Sequence, residues 1–210
     1  MKKIVVAALI LSWVLWGCAT TSEVEIVPQT DEKCEVPIWN KGDYWRFMYD
    51  DKREWQYTVE STDGNFYVVE DRYGMNKPCF DKKTLALVSY IKSDGSKLKP
   101  SNPSIFYCEF PLYVGKKWKK SYTTIPDRGQ LAVNYLNEYR IMSYEDISVP
   151  AGTFKAFKVE MNQTNYAGGS GKAYIWYSPG ARFVVKVSFE KINYWTYSQG
   201  FQLISFQVKK

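Results

Sequence analysis

The side chains that could do chemistry in this chain are few, and their types exclude more than they permit. There is no histidine among the 210 residues. That removes a Ser-His-Asp triad, a Cys-His dyad and histidine-ligated zinc or iron. Acidic neighbours occur at Asp50-Asp51, Glu70-Asp71 and Glu145-Asp146. A two-carboxylate hydrolytic site needs both acids on one face, whereas adjacent strand residues point to opposite faces. These pairs read as solvated strand ends. Calcium needs several converging oxygens, and the sequence has no Asp-rich loop of that kind. The expectation is no catalytic residue, no metal and no cofactor, with a hydrolase using carboxylates alone as the third-ranked reading.

The cysteines carry the remaining reactive chemistry: Cys18, Cys34, Cys79 and Cys108. Cys18 follows a short basic start, Met1-Lys2-Lys3, and an apolar run from Ile4 to Trp16 broken only by Ser12. The run is shorter than the ~20 residues needed to span a bilayer, and it has the length of a signal-peptide core. Leu15-Trp16-Gly17-Cys18 resembles the lipobox of bacterial lipoprotein precursors, with Trp16 standing where a small or β-branched residue is usual. The resemblance implies cleavage after Gly17 and acylation of Cys18, and two acyl chains already suffice for stable anchoring. Ala19, rather than an aspartate, favours outer-membrane sorting with the domain facing the periplasm. No other stretch of 18 or more apolar residues follows, so the rest of the chain is expected outside the membrane. Cleavage would remove Lys2 and Lys3 and lower the formal charge of +6 by two. The surplus left is too small to call for nucleic acid, which the envelope address also argues against.

In an oxidising envelope the other three cysteines permit one disulfide and leave one thiol over. Cys79–Cys108 is the favoured pair, since Cys34 lies near the tether. Such a bond would contribute about 3–4 kcal/mol by loop entropy. Three reduced, buried thiols are the alternative.

The elements that must position these residues read as strands. Residues 1–17 form the signal peptide, and 18–36 an acylated tether that is polar and contains Pro28. Residues 37–210 then alternate with period two between turn residues. Tyr44 to Tyr49, Trp55 to Val59, Phe66 to Val69, Leu85 to Ile91, Tyr139 to Val149, Phe157 to Met161, Ala173 to Tyr177, Val185 to Phe189 and Phe201 to Val208 read as strands. Asp63-Gly64, Asp94-Gly95, Pro150-Ala151-Gly152, Gly168 to Gly171 and Ser178-Pro179-Gly180 read as turns. No stretch keeps a helical period beyond about three turns.

Phe110 to Trp118, Val149 to Phe154 with Ala156 and Val159, and Trp176 to Pro179 with Gly180 and Val184 to Lys186 occur in this order. Together they resemble an uncharacterised bacterial envelope domain family over roughly residues 40 to 208, with Gly180-Ala181-Arg182 departing from that family's usual turn. The resemblance implies an all-β fold similar to the periplasmic lipoprotein carriers and their outer-membrane acceptors: a single curved antiparallel sheet, an open half-barrel with an apolar concave face. It implies no activity.

Aromatic residues make up 17% of the chain, more than one thin core demands. Packing within the sheet accounts for most of them. Trp45, Phe47, Trp55, Tyr57, Tyr174 and Trp176 are the candidate lining of a groove for a lipid, glycan or peptide. Lys116-Lys117-Trp118-Lys119-Lys120 reads either as an anionic-surface patch or as a strand start whose lysines guard a sheet edge. The leading expectation is a non-enzymatic, membrane-anchored lipoprotein binding a hydrophobic or amphipathic envelope component on an aromatic-rich sheet. The alternative is an assembly lipoprotein that docks an envelope protein and has no small-molecule ligand. Acylation is the most exposed part of this reading. Cys18→Ala should release the exported protein from the membrane pellet into the soluble fraction, and unchanged pelleting would contradict the anchor.

Overall fold

Alternating apolar and polar residues, cut by glycine and proline, leave the backbone little choice but extended ladders. The computed structural model describes residues 31–62, 64–72, 76–100, 108–124, 133–192 and 199–209. No helix occurs among them, and fourteen strands carry the fold. They are β1 (Lys33–Cys34), β2 (Tyr44–Tyr49), β3 (Glu54–Ser61), β4 (Phe66–Asp71), β5 (Lys77–Asp81), β6 (Leu87–Ile91), β7 (Lys97–Leu98), β8 (Leu112–Tyr113), β9 (Lys117–Thr124), β10 (Val133–Val149), β11 (Gly152–Asn165), β12 (Ser170–Ser178), β13 (Phe183–Ile192) and β14 (Phe201–Gln207). Twelve form one antiparallel sheet in the order β7-β6-β5-β4-β3-β2-β14-β13-β12-β11-β10-β9, and β1 pairs with β8 in a separate ribbon. The signal peptide, Cys18, Trp195 and Tyr197 lie outside the described residues.

The sheet is open and strongly curled. Laid flat, β5 and β13 would lie about 24 Å apart, five strand spacings. Yet Phe80 on β5 and Phe183 on β13 both pack on Trp39, with ring centroids 5.4 and 5.5 Å from it. The two rings are thus within about 11 Å of one another, which requires the sheet to fold round the indole.

The curl crosses a thin seam. Among the described residues β13 and β14 share only the pairs Lys186–Gln202 and Val187–Phe201, against fourteen pairs between β10 and β11. Gly200 lets the strands close at this point, because a Cβ there would sit 2.9 Å from the Val187 carbonyl oxygen. Two indole N–H groups span the seam: Trp39 donates to Arg182 O at 3.0 Å and Trp45 to Ala181 O at 2.6 Å. The long β10–β11 hairpin overhangs β12 and returns to β14, where Ala151 N donates to Leu203 O and Phe154 packs on Phe206. Its turn is Pro150-Ala151, with Val149 paired to Gly152, and Gly152 takes φ +131°. The sequence had placed Gly152 inside a three-residue loop.

Three expectations are corrected. Lys33 and Cys34 already belong to the fold, so the tether ends before residue 36: β1 pairs Cys34 with Leu112, and both side chains are buried. Strands β5 and β9 and the first six residues of β10 were not read as strands. Pro78 masks the pattern in β5, and the exposed Lys117, Lys119 and Lys120 mask it in β9. The expected Cys79–Cys108 bond is not formed, and all three thiols are free. Phe80 points into the core, so its neighbour Cys79 faces the other side of the sheet. Cys108 lies on the Phe80 side, in the same small pocket.

Trp39 unites the two halves, so it should matter more than its place beside the tether suggests. Trp39→Ala should lower the unfolding free energy in urea by about 3–5 kcal/mol. Tyr166→Ala, at a side chain 92% exposed, should change it by no more than ~0.5 kcal/mol.

Candidate functional site

The six proposed groove aromatics do not share a groove. Trp45 and Phe47 on β2 face Tyr57 and Trp55 on β3 across the ladder. Trp45, Phe47 and Trp55 are buried and Tyr57 half-buried. Phe47 stacks on Trp55 at 4.2 Å and Trp45 on Phe183 at 5.0 Å. Their rings fill the concave side. Tyr174 and Trp176 lie on the other face of β12 from Ala173 and Ile175, where Tyr174 is half-buried and Trp176 is buried, 7% exposed. The period of two decided this division.

The concave face is closed further by the chain's own N-terminal segment. Trp39 also packs on Trp45 and Tyr67, and its backbone N–H donates to the Tyr67 hydroxyl at 3.2 Å. Buried Asp43 fastens the segment, accepting from Asn40 N and from Lys209 N at 2.8 Å each. The pocket between Trp39, Phe80, Cys108, Phe110 and Tyr177 holds only about 20 Å³, room for one water.

One part of the core face is polar. Gln163 Nε2 donates to the Tyr122 hydroxyl and to Asn137 Oδ1, both at 2.7 Å, and Asn137 Nδ2 donates to the Tyr139 hydroxyl at 3.0 Å. Asn137 and Gln163 are buried, and these bonds offset their burial. Trp118 stacks on Tyr139 with planes 5° apart, and Tyr122 on Tyr135. Burial pushes the Tyr122 hydroxyl up to about 12.

The outer face of β9–β13 carries the densest functional chemistry. Lys158 Nζ lies 4.8 Å from the Tyr174 ring centroid and 5.5 Å from that of Trp176. Lys172 covers the far side of Tyr174 at 5.3 Å, and Lys186 that of Trp176 at 5.4 Å. The result is an alternating strip, Lys172–Tyr174–Lys158–Trp176–Lys186, fixed by the ladder pairs Lys158–Trp176 and Trp176–Lys186. Trp176 Nε1 donates to Glu145 Oε1 at 2.9 Å. Burial would raise the Glu145 carboxyl, but bonds from Ser143 and Trp176 outweigh it and hold the group below its ordinary range. Lys172 bonds Glu160 at 2.7 Å, and that bond raises the lysine and lowers the carboxyl.

Beside the strip lies a depression of about 300 Å³ lined by Lys117, Lys119, Glu138, Arg140, Glu160 and Asn162. The lysine run is therefore divided. Lys117 and Lys119 face this depression, whereas Lys116 turns inward, donating to the carbonyls of Glu109 and Pro111. The acidic pairs are divided too: Glu145 serves Trp176 while Asp146 bonds Lys155 at 2.9 Å. Among the described residues no three Cys, Asp or Glu side chains converge as metal ligands would.

No protein-family model matches the chain, and no curated protein matches it. Solved structures similar to it include the hypothetical lipoprotein YmcC from Escherichia coli K12, at TM-score 0.47 and 6% identity, covering 82% of this chain and 89% of that one. A protein from Parabacteroides distasonis assigned as a lipoprotein has TM-score 0.40 and 17% identity over 83% of this chain and 99% of that one. A Bacteroides fragilis protein assigned as exported, with a YmcC-like fold, has 0.39 and 14% over 83% and 99%. None is described as a periplasmic lipoprotein carrier. Likenesses of this size leave function to be read from the side chains.

Tyr57, Tyr122 and Tyr177 all have hydroxyls raised above 10.0, in each case chiefly by burial. Raised in the fold, these groups ionise first in the unfolded chain. Their contribution is intact below pH 10.0 and lost as pH rises beyond it. Urea midpoints measured from about pH 9 to about pH 12 should fall above pH 10, with tyrosinate absorbance rising together with unfolding. Tyrosinate appearing well before unfolding would contradict the burial.

Proposed function

We propose that this chain is a non-enzymatic lipoprotein of the bacterial envelope, anchored through acylated Cys18. In this reading it holds an anionic envelope component on the outer face of β9–β13. The component is a sugar or lipid head group bearing phosphate or carboxylate. One observation carries the reading: the strip Lys172–Tyr174–Lys158–Trp176–Lys186 sets three ammonium groups at ring spacing along one face. The half-buried Tyr174 ring suits the apolar face of a sugar or the edge of an acyl chain, the buried Trp176 backs it, and the ammonium groups suit the ligand's charge. The depression beside the strip adds Lys117, Lys119 and Arg140, set among Glu138 and Glu160.

The concave face serves instead as the core that holds this surface rigid, since the chain's own rings occupy it. That filling also supports the second reading, in which a docked envelope protein replaces the small ligand. Anchoring at the outer membrane, facing the periplasm, places the strip among phosphorylated lipids and glycans.

The test uses the full-length protein extracted in mild detergent. Native mass spectrometry should show a discrete added mass of lipid or glycan size. Binding to phosphatidylglycerol vesicles, but not to phosphatidylcholine vesicles, should weaken at least about tenfold when Lys158, Lys172 and Lys186 are all changed to Ala. Unchanged binding would refute the strip, and an apo mass with a co-purifying protein would favour the docking reading.

A further inference from the structure

The lysine and aromatic strip is one side of a longer polar face. On β11, Glu160 pairs with Tyr174 of β12 and with Arg140 of β10, and Asn162 pairs with Lys172 and Glu138. The next row along joins Thr164 to Leu136, and Leu136 to Ser121 of β9. Alternation puts these side chains on the face opposite buried Asn137, Tyr139 and Gln163. There a second depression of about 120 Å³, lined by Asn134, Leu136, Thr164, Asn165 and Tyr166, follows the one of about 300 Å³. Tyr166 ends the row, with a side chain 92% exposed. The turn that carries it is nonetheless well bonded. Asn165 Oδ1 accepts from Ala167 N at 3.0 Å and from Gly169 N at 2.8 Å, and Asn165 N donates to Gly169 O at 3.0 Å. An ordered turn thus holds a ring in water, where it adds nothing to the core.

We propose that the two depressions form one groove for a linear glycan strand of acetamido sugars, with Tyr166 covering one sugar ring. The groove shares with the proposed function its choice of the outer face, and it selects a glycan over a lipid head group. Its acids are matched from within, since Lys119 pairs with Glu138 and Lys172 with Glu160. Beside these pairs stand the uncharged amides of Asn134 and Asn162 and the hydroxyls of Ser121 and Thr164. Thr123 donates to Asn134 Oδ1, and Asn162 donates to Glu160 Oε1 at 3.1 Å, which orients both amides. An amide carries a donor and an acceptor, as an acetamido group does, and hydroxyls answer hydroxyls. The exposed tyrosine face supplies the apolar contact that a pyranose ring accepts. From Glu160, opposite Tyr174, to Tyr166 is about 20 Å at the rise of a strand. That span fits an extended chain rather than a single head group. A membrane-seeking loop would flank its ring with apolar bulk, whereas Tyr166 stands between Asn165 and Ala167-Gly168.

Full-length protein in mild detergent is titrated calorimetrically with a dimer and a hexamer of β-linked N-acetylglucosamine. The hexamer should bind at least about tenfold more tightly, because it alone reaches along both depressions. Tyr166→Ala should weaken the hexamer by about tenfold, through loss of a ring that the ligand covers. Thr164→Arg, at an exposed position on the groove floor, should block it. Phosphatidylglycerol vesicles, bound by the same proteins in parallel, report the lysine strip. No hexamer binding, or hexamer binding unchanged in either variant, would overturn the glycan groove. Vesicle binding that still depends on Lys158, Lys172 and Lys186 would then leave the strip standing. Vesicle binding indifferent to those lysines would refute the strip, and the hexamer would still decide the groove. Loss of vesicle binding in Tyr166→Ala would assign the ring to a membrane and overturn the glycan.

Discussion

The fold depends on how a twelve-strand sheet crosses the joint between its two halves. Two residue pairs connect β13 to β14, too few to fix the angle between the halves. The missing constraint comes from outside the ladder, where the indole N–H groups of Trp39 and Trp45 hold the carbonyls of Arg182 and Ala181. Trp39 touches β2, β4, β5 and β13 through Trp45, Tyr67, Phe80 and Phe183. One side chain from a segment with almost no ladder of its own thereby sets the curvature. Buried Asp43 keeps that segment in place by tying it to the far end of the chain at Lys209.

The same constraint moves function away from the obvious surface. An open half-barrel invites a ligand into its concavity, but here Trp39, Leu112 and the β1–β8 ribbon lie over it. What remains free to act is the opposite face, where rings and ammonium groups alternate. Lysine ammonium groups lie over both rings, and Trp176 is buried beneath them while Tyr174 stays half-buried. The charges at the lysine ends stay in reach of solvent or of a partner. The two faces of β12 differ residue by residue: Ala173 and Ile175 on the concave side, Tyr174 and the buried Trp176 on the other.

Much of this was legible beforehand, for reasons that can be named. Alternation in Tyr44–Tyr49, Phe157–Met161 and Val185–Phe189 announced strands, which run on in the structure to Gly152–Asn165 and Phe183–Ile192, because one face of each is core. The cores of β5 and β9 were hidden, since Pro78 and the run from Lys116 to Lys120 are poor local signals. Cys34 was assigned to the tether because a two-residue strand has no period to detect. Trp39 attracted no notice for the same reason, and a lone Trp between Pro37 and Gly42 was the only hint that the segment is anchored. The six groove aromatics could not be sorted between the faces without the register that the ladders supply.

By itself, the sequence determined the all-β class, the position of most turns, the absence of histidine chemistry and the lipobox-like Cys18, because each is a local property of residue type and spacing. Only the tertiary structure decided that Cys79 and Cys108 fall on opposite sides of the sheet, that Trp39 closes the curl, and that Tyr174 and Trp176 part company with Trp45 and Phe47. Those outcomes turn on contacts between residues as far apart as Trp39 and Arg182. Such contacts are set by the register and curvature of the whole sheet, and no short window of residues carries that information.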